Sequence, residues 1–73
     1  MDVPLSWTAD GAATSYRVEI GTSSGATDYL LLDVGNVTSY TVSQMPPGTY
    51  YWVVRTMIGG SPGSATAERF FYV

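Results

Sequence analysis

The chain contains no cysteine, no histidine and no lysine. Without cysteine or histidine it has neither a disulfide framework nor the ligand set of a structural zinc site. The lack of cysteine fits any redox compartment. Three arginines, Arg17, Arg55 and Arg69, are the whole basic complement, against six carboxylates and a net charge of −3. That is too few cations to neutralise a run of phosphates, so no nucleic acid partner is expected. Attraction to an anionic membrane is disfavoured for the same reason. No apolar run approaches the roughly 20 residues of a membrane span. The start Met1-Asp2-Val3-Pro4 is no signal peptide, so an export signal is expected to be removed or to lie outside these residues.

What is present is aromatic. Tyrosine, tryptophan and phenylalanine make up 14% of 73 residues, enough for one small domain. A domain of this size buries only about 60% of the surface its unfolded chain exposes. With no disulfide or metal to supplement that margin, stability must come from a dense aromatic core, a neighbouring domain or self-association.

Residues alternate along most of the chain. Val3, Leu5 and Trp7 share one face, with Pro4 suited to a strand start or an edge. Asp10-Gly11-Ala12-Ala13 is a turn, with Gly11 free to take a positive φ. Ser15–Ile20 alternates most cleanly, placing Tyr16, Val18 and Ile20 inward and Arg17 and Glu19 toward water. Gly21–Thr27 is small and polar, a loop. A short strand follows through Leu30-Leu31-Leu32, whose facing the pattern leaves open. Gly35-Asn36 marks a turn, and Asn36-Val37-Thr38 matches the glycosylation tripeptide, a pattern common by chance. Ser39–Ser43 directs Tyr40 and Val42 inward, and Met45-Pro46-Pro47-Gly48 turns the chain into Thr49–Arg55. Burying Tyr50, Trp52, Val54 and Thr56 keeps Arg55 outside. The opposite register would bury an unpaired guanidinium at high cost. Gly59–Ser64 is read as a loop, and Ala67–Val73 as a last strand. No segment keeps a 3.6-residue period. About six short strands, each ended by glycine, proline or asparagine, predict an all-β sandwich.

The order of these segments resembles a fibronectin type III domain, an immunoglobulin-like antiparallel β-sandwich. Leu5-Ser6-Trp7 resembles that family's strand B, Ser15–Ile20 strand C, Ser39–Val42 strand E, and Pro47–Arg55 the E–F corner and strand F. The Tyr-Tyr-Trp run after Pro-Gly-Thr is closest to modules of secreted bacterial proteins. The resemblance implies a corner tyrosine, Tyr50, bonding through its hydroxyl to backbone near Gln44–Pro47. It implies an extracellular or cell-surface setting, and neighbouring domains of a larger protein as partners. It departs from the family in having almost nothing before Trp7 to supply strand A. Strand B is therefore expected at an open edge, in a sheet two strands wide, with inner aromatics near Trp7 and Trp52 partly uncovered.

No chemistry is evident. Asp2, Asp10, Asp28 and Asp33 fall in turns or at strand ends, and Glu19 and Glu68 point outward, so no carboxylate pair converges for acid–base work. Serines and threonines lack a histidine or lysine to activate them. No calcium loop and no phosphate loop is present, and no cofactor is expected. The expected activity is therefore non-catalytic: a spacer or docking unit. Two alternatives stand beside it. One is an adhesive module binding glycan or protein through exposed aromatics, with Tyr51, Tyr29 and one of Phe70 or Phe71 as candidates. The other is a homodimer paired or swapped through the open strand-B edge at Val3, Leu5 and Trp7.

Overall fold

The computed structural model describes residues 1–73. Seven strands form: β1 Val3–Ser6, β2 Ser15–Gly21, β3 Leu30–Gly35, β4 Ser39–Val42, β5 Thr49–Ile58, β6 Ser61–Ala65 and β7 Arg69–Tyr72. They make two antiparallel sheets, one of β1 and β4 alone, the other in the order β3-β2-β5 with β6 and β7 sharing the far edge of β5. The two-stranded sheet is thus as narrow as the sequence led us to expect.

The core lies between the sheets and is built from the alternating positions. Tyr16, Val18 and Ile20 of β2 meet Tyr50, Trp52 and Val54 of β5, with Leu5, Val42 and Met45 closing over them. Arg55 stays on the outer face while Thr56 and Met57 are buried, so the register that keeps the guanidinium out of the core is the one adopted. The Tyr50 hydroxyl donates to the Pro46 carbonyl at 2.7 Å, pinning the Met45–Gly48 turn to β5.

Both chain ends are fastened to that same turn. Met1 and Met45 bond to each other through backbone in both directions, at 2.9 and 3.2 Å. Gly48 and Val73 do likewise at 3.0 and 2.8 Å. Residues 1 and 73 therefore lie at one end of the molecule.

Four features depart from the sequence reading. Ser61–Ala65 is a strand, not a loop: Gly59 and Gly60 alone make the turn, at φ of 58° and 84°. Consecutive positive φ values suit a two-residue hairpin whose twist matches its strands, and the edge position accommodates Pro62. Gly11, by contrast, does not use a positive φ, and its turn is closed by Asp10, whose carbonyl and carboxylate accept from Ala13 and Ala12. Gly21 belongs to β2 and is buried beneath the loop that follows it. Glu19 is also buried, although its side chain is on the outer face. It accepts from Arg55 Nε at 2.8 Å, with Arg17 Nη1 at 3.9 Å. Arg17 and Arg55 stand opposite each other across β2 and β5, so Glu19 neutralises a pair that would otherwise repel.

Candidate functional site

The outer face of the larger sheet carries an aromatic row. Register pairs Tyr51 with Phe70, their ring centroids 6.1 Å apart, and Phe70 meets Tyr72 edge-on at 5.7 Å. Phe70 is 58% and Tyr72 73% exposed, so the row is open at β7 and partly covered at Tyr51. The choice between Phe70 and Phe71 is settled by alternation: Phe71 turns inward against Tyr50. Tyr72 was missed at the sequence level, yet it sits two residues beyond Phe70 on the same strand face. Neighbouring rings are tilted by 41° and 77°, so they do not form the coplanar platform on which a sugar chain lies flat.

Tyr29 does not join this row. It is half-buried and packs edge-on against Tyr50 at 4.9 Å, on the core side. Its expected exposure is corrected accordingly, because the segment before β3 folds back over the rim of the core.

The β1 side chains are not free for a partner, contrary to expectation. Leu5 is buried, while Val3 and Trp7 pack against the core, so these side chains are already engaged inside the molecule. What β1 offers a partner is its backbone. The Trp7 amide donates to Thr38 across the sheet, which places the odd-numbered groups toward β4 and the even-numbered ones at the open edge. Pro4 has no amide to present there, leaving Ser6 as the donor within the strand.

Beside this edge is a cleft of about 360 Å³ between the sheets, lined by Ser6, Trp7, Thr8, Trp52, Thr66 and Arg69. Each wall has a structural origin. Ser6–Thr8 is the end of β1 and the chain that leads from it to the Asp10 turn. Thr66 sits where β6 gives way to β7, bridging the break by accepting from the Val54 amide through Oγ1 and donating its own amide to the Val54 carbonyl. Arg69 pairs with Trp52 in the ladder and holds its guanidinium 5.9 Å from the centre of the indole. Arg17 and Arg55 both have carboxylate partners; Arg69 has none. The Trp7 Nε1–H is buried and has no acceptor within the protein. A second, smaller groove of about 170 Å³ on the outer face contains the Glu19–Arg55 pair and Glu68, whose charges are already matched or bonded.

Every carboxylate has a structural partner. Asp2 accepts from the Gln44 amide, Asp10 from Ala12 and Thr56, Asp33 from Arg17, and Glu19 from Arg55. Asp28 accepts from the Thr22 hydroxyl and amide, and Glu68 from the Ser24 hydroxyl and the Gly25 amide. These bonds hold the Asp28 and Glu68 carboxyls below their ordinary pKa, the hydroxyl contributing most in each case. Neither a protein-family model nor a curated protein matches the sequence.

Proposed function

We propose that the chain is a fibronectin type III-like module that acts by docking to a protein partner, without catalysis, as part of a larger secreted or cell-surface protein. The observation that carries this reading is the strand arrangement: β1 and β4 facing β3-β2-β5-β6/β7, with a corner tyrosine bonding back across the turn that leads into β5. That arrangement fits strands B and E facing C′, C, F and G of the family. The consumption of all six carboxylates in structural bonds favours a binding role over an enzymatic one. The tilt within the outer aromatic row favours a protein surface over a flat glycan.

The test is to pan the purified chain against a displayed random-peptide library and a glycan array, scoring turnover of chromogenic ester, phosphate and glycoside substrates in parallel. Enrichment of peptide ligands, without glycan retention or turnover, is the expected result. Turnover of any substrate, or a library that yields no ligand, overturns the proposal.

A further inference from the structure

We infer that the cleft between β1 and β7 takes an extended peptide that adds to the open edge of β1 and sets one acidic side chain on Arg69. The inference rests on the docking role proposed above and names the ligand of one site.

Three observations converge on this occupant. First, β1 is hydrogen-bonded on one side only, and its free side presents the Ser6 amide and the Pro4 and Ser6 carbonyls, a ladder that accepts another strand. Second, the cleft opens at the Ser6 end of that edge, so a side chain of an added strand that lies opposite Ser6–Thr8 and points toward the larger sheet enters it. Third, Arg69 is the one arginine without a carboxylate, in a chain whose other charges of both signs are matched or bonded. Its guanidinium lies 5.9 Å from the centre of the Trp52 indole in the cleft wall, where a carboxylate can bind it in a two-point fork.

The charge balance narrows the ligand further. The protein carries −3 overall, and Glu68 is adjacent to Arg69 in sequence, so a run of acidic residues is repelled where a single one is held. A second copy of the chain fits less well. Pro4 takes one donor out of the edge, and nothing on β1 itself, Val3-Pro4-Leu5-Ser6, supplies a carboxylate for Arg69.

The two tryptophans of the chain both line the cleft, so intrinsic fluorescence reports its occupancy directly. The probe is a blocked eight-residue peptide of alternating threonine and valine with one central glutamate, titrated into the full chain beside a glutamine-for-glutamate control. We expect saturable change in tryptophan emission and slowed exchange of the Ser6 amide by NMR with the glutamate peptide. We expect at least tenfold weaker binding for the control peptide and for Arg69→Gln, whose exposed side chain leaves the fold intact by circular dichroism. Ser6→Pro removes the edge amide without touching the β1–β4 ladder, and is expected to lower affinity for both peptides. Equal binding of the two peptides, insensitivity to both variants, or no binding at all overturns the site. So does light scattering that shows a dimer displaced by neither peptide. If panning still enriches ligands insensitive to Arg69→Gln, the cleft assignment falls and the docking role stands; if panning yields nothing, the docking role falls first.

Discussion

Replacing Gly21 by alanine tests how tightly the loop after β2 is closed over the sheet. A Cβ built at Gly21 falls 2.1 Å from the Ala26 carbonyl oxygen, 2.4 Å from its carbon and 2.7 Å from the Ala26 Cβ. No flexible side chain can swing away, because two of the three obstructing atoms are backbone. Relief requires the loop to lift by roughly 1 Å, enough to forfeit much of its van der Waals contact. The loop is held down at both ends, by Thr22 bonded twice to Asp28 and by Ser24 and Gly25 bonded to Glu68. Overpacking that forces backbone shifts costs about 1–3 kcal/mol. With backbone as the obstacle, the upper half of that range applies, and for a domain this small it lowers Tm by roughly 8–24 °C. Gly11→Ala is the matched control: nothing lies within 4 Å of its Cβ and its φ is not positive. There the substitution is neutral or stabilises by about 0.4–1 kcal/mol through the unfolded chain. Thermal and urea denaturation followed by far-UV circular dichroism compare the two. A Gly21→Ala protein that melts with the wild type, or a Gly11→Ala protein that loses as much, refutes the packing described for this loop.

Three further outcomes follow from the same contacts. Glu19→Ala leaves Arg17 and Arg55 facing each other without their shared carboxylate, and urea unfolding is expected to show a loss of about 1.5–3 kcal/mol, with Glu19→Gln losing less. Asp28 and Glu68 ionise below their ordinary values of 3.8 and 4.5 when folded. Their contribution is therefore present above those values and disappears as pH falls through the lowered ones. An Asp28→Asn/Glu68→Gln double variant should flatten the decline in urea midpoint over that acid window; an unchanged profile counts against these bonds. Burial and the neighbouring Tyr29 raise the Tyr50 hydroxyl above 10.0, so its contribution holds below that pH and is lost as pH climbs through the raised value. Tyr50→Phe should blunt this alkaline loss while lowering Tm at neutral pH through the missing bond to Pro46, both readable in a pH series of thermal melts.

The strands whose alternation is strict were legible in the sequence, and so was the inward register of Tyr50, Trp52 and Val54. There, side-chain period and the cost of burying Arg55 point to the same answer. The corner bond from Tyr50 was legible only through the family resemblance. Glu19 was misread because alternation reports which face a side chain takes, not what covers it. Its burial comes from two arginines brought together by the β2–β5 register. β6 was missed because Pro62 and Gly63 speak locally for a loop, while the Gly59-Gly60 hairpin places them on an edge that tolerates both. Of the cleft, Trp7 and Trp52 were visible as neighbours near an uncovered region. Arg69, Thr66 and Thr8 were not, since what joins them is the break between β6 and β7, and no local pattern announces where a strand changes its pairing.

The attachment of Met1 to Met45 and of Val73 to Gly48 also decides how the module answers to mechanical load. Tension applied between the two ends acts at one end of the molecule, across the strands instead of along them. It opens β1 from β4 and β7 from β5 one hydrogen bond at a time, beginning at the pairs nearest the ends. Bonds loaded in sequence yield at lower force than bonds loaded together in shear. Pulled by these two ends, the molecule unzips, and Ser6, the part of β1 that borders the cleft, is among the last of that strand to part from β4.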